Sequence, residues 1–271
     1  MSLASLQGER FITGLIEEIA DKLQFKDSAQ GLQQAERPHC FVNNVAEHIS
    51  EFTQHIFHQV AEEYLDNITD KEEAQKLLEQ VLIKRMDDSH ALNSLPQEEQ
   101  EMSYQLSITL FEQAETQQQR DYAAYALATL TDIEYQRYDF ATALIYAQRF
   151  MQGKQQSLWT LDRLSIYMQG QVFNTLKIMG KVSQALVLVK EMTRSLEELD
   201  TPESRRDLAV SYAMFAQMAE GRQNIKSALG YFNKGLIQAK NYQSKQQCPD
   251  ADEIIAAFEG EIQRLSDSDK S

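Results

Sequence analysis

Three stretches decide how this chain is read: YDFATALIYA at 138–147, GKVSQALVLV at 180–189 and QNIKSALGYF at 223–232. In each, a short break is followed by a small residue and then an apolar run, and each stands behind a long amphipathic segment. The small residues are Ala143, Ala185 and Ala228, so the pattern returns after 42 and then 43 residues. A fixed period of this size, in a tract without glycine-rich or strand-like content, points to stacked helical hairpins. The repeating tract spans 121–243. It predicts a scaffold that holds another molecule.

The surrounding composition agrees. Four prolines and ten glycines are few for 271 residues, and glutamine, alanine, leucine and glutamate, all good helix formers, are abundant. No window alternates apolar and polar residues in the manner of a strand, so the expected fold class is all-α throughout. A chain of this length buries roughly three quarters of its unfolded surface, as one domain or two.

The net charge of −15 is uneven. Residues 1–120 hold 9 basic and 22 acidic groups, a net of −13, whereas residues 163–245 hold 12 basic and 7 acidic groups, a net of +5. An acidic chain repels a phosphate backbone, so no nucleic-acid partner is expected. The acidic excess reads first as a solvated surface and second as a patch facing a partner. Cys40 and Cys248 stand far apart and form no CxxC, which suggests a reducing compartment. Residues 1–25 carry charges at helical intervals rather than a signal peptide, and no apolar run reaches the roughly 20 residues that span a bilayer. A cytoplasmic protein with no membrane partner is expected.

Taken in order, an amphipathic helix is predicted over 3–24, with Leu6, Phe11, Leu15, Ile19 and Leu23 on one side. A polar linker is predicted over 26–38, and a second helix over 41–65 burying Val45, Ile49, Phe52, Ile56 and Val60. Thr69 and Glu72 fit a capping box before a helix carrying Ala74, Leu77, Leu78, Val81 and Leu82. Pro96 opens another helix, and Thr201-Pro202-Glu203 marks a further start. Pro249 opens a last helix that closes the stack. The expected organisation is an N-terminal helical region over 1–118, either separate or built of divergent repeats, three repeats over 119–245, and a capping helix and tail over 246–271.

The three units resemble tetratricopeptide repeats. The match rests on Leu127, Leu130, Asp139, Phe140, Ala143 and Ala147 in the first unit, Val172, Gly180, Val182 and Ala185 in the second, and Tyr212, Phe215, Ala216, Ile225, Ala228 and Phe232 in the third. Phe173 stands where that pattern has a small residue. The spacing exceeds the common 34 residues by eight or nine, which lengthens each helix by about one turn. Longer repeats of this kind resemble those of kinesin light chains and of bacterial peptide-sensing regulators. The resemblance implies an α-α superhelix whose concave groove is lined by the first helix of each hairpin. It places Tyr125, Thr129, Asp132 and Tyr135, then Tyr167, Gln171, Asn174 and Lys177, then Met214, Gln217 and Glu220 along that groove. Asp132, Asn174 and Gln217 fall at one repeated position, where an amide can both donate to and accept from an extended peptide. The tyrosines offer contact area at low entropic cost. The basic groups Arg163, Lys177, Lys181, Arg205 and Arg206 favour an acidic or carboxylate-bearing segment. The five-residue carboxylate clamp of chaperone-binding relatives is not reproduced.

A second constellation lies at His48, Glu51, His55, His58 and Glu62, spaced as one stripe if residues 41–65 are helical. His48, His55 and His58 are the metal candidates, yet one helix rarely supplies a whole site, so no metal is expected. No GxSxG, HExxH or phosphate-cradling glycine loop occurs, so neither catalysis nor a cofactor is expected. The expectation is a non-enzymatic protein- or peptide-binding scaffold. Its rivals are a peptide-responsive bacterial regulator, whose N-terminal region docks an effector, and a structural oligomer assembled from copies of itself, the smallest being a homodimer.

Overall fold

A computed structural model describes residues 2–8, 10–24, 42–46, 49–53, 59, 61, 71–198, 201–244 and 250–268. Among these residues the chain is predominantly helical, as expected, and it divides into two compact units. The first comprises Met1–Asp132 with Gly153–Thr160, the second Ile133–Gln152 with Leu161–Ser271.

The first unit corrects two expected helices. Where one helix was predicted over 3–24, helix α1 (Ser2–Ser5) ends and strand β1 (Arg10–Ile12) precedes helix α2 (Thr13–Lys22). Gly8 takes φ +99°, a conformation an L side chain resists, and Gln7 Oε1 accepts the Ile12 amide at 2.9 Å, so the chain turns there. Where a helix was predicted over 41–65, β2 (Val42–Ala46) and β3 (Ile49–Phe52) form. The sheet is antiparallel with order β1-β3-β2, and Phe11 lies opposite Ser50.

Val45, Ile49 and Phe52 mimic a helical stripe by spacing alone. In the sheet, Ile49 and Phe52 are buried while Val45, at a bulge between Asn44 and Ala46, is exposed. Phe52 meets the Phe11 ring at 5.5 Å, and this long-range packing of β-favouring side chains overrides the local pattern. The segment 26–38, Thr69, Ile56 and Val60 lie outside the described residues.

Helices α3 (Lys71–Asp87), α4 (Ser89–Asn93), α5 (Gln97–Phe111) and the larger part of α6 (Gln117–Gln136) complete this unit. Ala74, Leu78, Val81 and Leu82 of α3 are buried with Phe11, Leu15, Ile19 and Phe111 in one core. Between α3 and α5, Arg85 donates to the nearly inaccessible Glu99 at 2.8 Å. The start of α6 is pinned through Arg120, which donates to the carbonyls of Ala114, Glu115 and Leu158. Trp159 is fully buried beside Gly153, with no room for a side chain at that glycine.

The second unit contains α7 (Phe140–Gln155) up to Gln152, then α8 (Asp162–Ile178), α9 (Val182–Glu198), α10 (Pro202–Gly221), α11 (Ile225–Gln243) and α12 (Ala251–Ser268). From α8 to α12 each helix packs on the next one in the chain. Small residues, Ala209 and Ala216 on α10 and Ala228 and Ala239 on α11, recur in the buried cluster of these helices, while Gly235 admits the Phe258 ring of α12, which packs beside Phe232.

The turns repeat as closely as the sequence does. Tyr138, Gly180 and Gln223 all have left-handed φ (64°, 73° and 60°). The amides that follow, of Asp139, Lys181 and Asn224, donate five residues back to Glu134, Leu176 and Ala219 at 3.0, 2.8 and 2.9 Å. The amides of Tyr138, Gly180 and Gln223 donate three residues back, to Tyr135, Lys177 and Glu220. This pair of bonds is the Schellman helix stop, made three times at equivalent places. Asp139 and Asn224 then cap the next helix, their side chains accepting the amides of Thr142 and Ser227. Lys181, at the matching position, has no side-chain acceptor to offer.

Candidate functional site

Helices α8 and α10 stand side by side within the second unit. Lys177 Nζ donates to Gln217 Oε1 at 3.2 Å, and a Cβ built on Gly170 would lie 3.7 Å from the Met214 methyl. Along α8, Gln171 Nε2 donates to Tyr167 Oη at 2.7 Å, one turn apart. Asn174 is exposed between these two ties, and Tyr167 is 45 % exposed. Five sequence-predicted residues, Tyr167, Gln171, Asn174, Lys177 and Gln217, are thus on two neighbouring helices, with two direct contacts among them.

The other three stand differently. Tyr135 is half-buried and meets Phe140 edge-on at 5.3 Å. Tyr125 is exposed and Asp132 is half-buried, and both belong to the first unit.

The α10 helix is tied onward to α12. Arg264 donates to both oxygens of Glu220 at 2.8 and 2.9 Å, and Arg206 donates to Asp250 at 2.6 Å. Hydrogen bonding from Arg264 holds the Glu220 carboxyl below the usual range, and bonds from Arg206 and then Tyr242 do the same for Asp250. Arg205 donates to Gln238 of α11. Three of the five basic groups singled out in the sequence, Lys177, Arg205 and Arg206, therefore bond to residues beyond their own helix. About two turns on, Tyr212 donates to Glu197, and its phenol is pushed up to about 12 by burial first and by that carboxylate second.

Concavities lie elsewhere among the described residues. In the first unit, one of about 490 Å³ is lined by Val45, Ala46, Ile49, Met102 and Leu106, with Glu98 and Glu101 among its polar groups. In the second unit, one of about 330 Å³ lies among α9, α10 and α11, and no motif in the sequence had marked it.

The histidine stripe is not supported where it can be checked. Glu51 lies on a strand and accepts from Arg10 across the sheet at 2.9 Å, so the helix that would align it with the histidines is absent at that point. His48, His55 and His58 lie outside the described residues. Among the described residues no cluster of three or more His, Cys, Asp or Glu is arranged to hold a metal, and no helix is long and apolar enough to cross a membrane.

No family model, curated protein or solved structure matches this chain.

Proposed function

We propose that this protein is a non-catalytic, tetratricopeptide-like helical-repeat scaffold that holds a protein or peptide segment against the exposed face of α8 and α10. The observation that carries the reading is the contact between the exposed side chains of Lys177 and Gln217, which brings the surfaces of α8 and α10 within reach of one another. The exposed Asn174 and the half-exposed Tyr167 stand on the same stretch of α8. An amide there can bond an extended backbone in both directions, and tyrosine adds apolar area. Three equivalent Schellman turns support a true structural repeat. In this reading α12 is the closing helix of a superhelical stack, which must hide an apolar face.

Lys177 and Arg163 add positive charge, so the segment held there is an acidic one. The test is selection of binding peptides from a displayed library, followed by titration of the best of them. We expect Asn174→Ala with Lys177→Ala to weaken binding about tenfold or more at unchanged helicity and melting, about 1.4 kcal/mol or more of binding energy. Equal affinity in the variant moves the binding surface off α8 and α10 and ends this reading.

A further inference from the structure

The concavity among α9, α10 and α11 has an unusual lining for so acidic a chain. It is bounded by Leu186, Phe215, Met218 and Tyr231, with Lys190 and Arg222 at its polar side. Among the described residues no carboxylate lines it. Among the described residues neither the Lys190 nor the Arg222 side chain has a hydrogen-bond or ion-pair partner. Phe215 and Tyr231 stack at 5.1 Å between ring centres, which fixes the apolar wall.

The repeat itself shows what is missing. Aligned on the three turns, Arg222 occupies the place of Arg137 in the first repeat. There Arg137 donates to Glu134 at 3.2 Å. The residue equivalent to Glu134 in the third repeat is Ala219, and Ala219 lines the concavity. Where the first repeat has a carboxylate the third has a methyl group, and the second has the uncharged pair Leu176 and Met179, so only in the third does a cation stand without that counter-charge and with a space beside it. At the nearby helix end, the Ser227 amide is already satisfied by Asn224.

We propose that this cavity binds a carboxylate carried on an aromatic or apolar body, the carboxylate bridging Arg222 and Lys190 and the body lying against Phe215, Met218 and Tyr231. A guanidinium fork suits a carboxylate in two-point contact, and about 330 Å³ is at the small end of ligand cavities. None of these residues belongs to the α8–α10 surface proposed above, so the two assignments stand or fall separately.

The test is calorimetric titration of the full-length chain with 2-naphthoate, and with 2-naphthylmethanol as its uncharged counterpart. N-acetyl-Phe-Glu-amide serves as a carboxylate borne on a peptide. At least one of the two carboxylates is expected to bind saturably and the alcohol at least about tenfold more weakly. Lys190→Ala and Arg222→Ala are each expected to weaken the acid about tenfold, a loss of about 1.4 kcal/mol. Both side chains are exposed, so these variants fold. Ala219→Glu, which rebuilds the pair of the first repeat within the chain, is expected to abolish binding while leaving the melting temperature unchanged or higher. Preference for the dipeptide assigns the carboxylate to a partner chain, and preference for naphthoate assigns it to a small molecule. The proposal is overturned if neither carboxylate binds, if acid and alcohol bind alike, or if binding survives in Ala219→Glu.

Discussion

Two glycines are fixed by the rings beside them. A Cβ on Gly235 would lie 2.2 Å from the Phe258 ring, and one on Gly153 would lie 2.1 Å from Trp159. Neither ring has room to retreat, since Phe258 and Trp159 are themselves buried. Gly235→Ala is therefore expected to cost about 1–3 kcal/mol or more in denaturant unfolding. In a Phe258→Ala background, which is itself destabilised, Gly235→Ala should cost less than it does in the parent, and strictly additive costs would show that the clash is not its cause. The Arg85–Glu99 pair makes a sharper case, with Glu99 only 4 % exposed at its side chain. Arg85→Met strands that carboxylate and is expected to cost roughly 3–5 kcal/mol, whereas Arg85→Met with Glu99→Met should regain most of it. A double variant as unstable as the single one would mean that packing, not charge, holds α3 against α5.

At the level of the helical hairpin, the three turns are one device with one defective copy. Lys181 stands where Asp139 and Asn224 cap their helices, and it puts a positive charge at the positive end of α9. Lys181→Asn is expected to stabilise the fold by about 0.5–1 kcal/mol, read as a raised denaturant midpoint at constant slope. An unchanged or lower midpoint would show that Lys181 serves some contact of its own. The ties from α10 to α12 make a pH prediction. Asp250 and Glu220 have lowered folded-state pKa values, so their stabilisation is complete above the ordinary carboxylate range near pH 4 and is lost as pH falls through the lowered values. Asp250→Asn should melt below the parent at pH 7 and converge with it in strong acid. A constant gap across that window would remove Asp250 as an acid-sensitive tie.

The whole chain contains two compact units, each with its own buried cluster. Phe11, Leu15, Leu78 and Phe111 belong to the core of the first, and Phe232, Phe258 and Leu265 to a core of the second. A fragment spanning 161–271, the longer continuous part of the second unit, is accordingly expected to keep a cooperative thermal transition followed by circular dichroism. A broad, non-cooperative melt would mean that this part depends on the rest of the chain for its stability.

The hairpins of the repeat tract were legible because their determinants are local. Ala143, Ala185 and Ala228 are buried as their spacing implies. Gly180 marks a left-handed stop in the sequence, and the same stop at Tyr138 and Gln223 follows from register with it. Thr201 caps α10 as its sequence announces, with Ser204 completing the reciprocal bonds. By itself, then, the sequence determined the helical class, the period and the turn positions, since each depends on bonds spanning three to five residues. Only the tertiary structure decided the rest. Phe11 and Ser50 face each other across β1 and β3, and no local period of either segment announces that pairing. Arg206 was legible as a cation but not as the partner of Asp250, 44 residues on. The cavity beside Ala219 comes from a side chain that is not there, and its meaning depends on three helices meeting around it. Interactions within a helical turn are written in adjacent residues. Pairing, charge satisfaction and empty space depend on which distant segments the fold brings into contact.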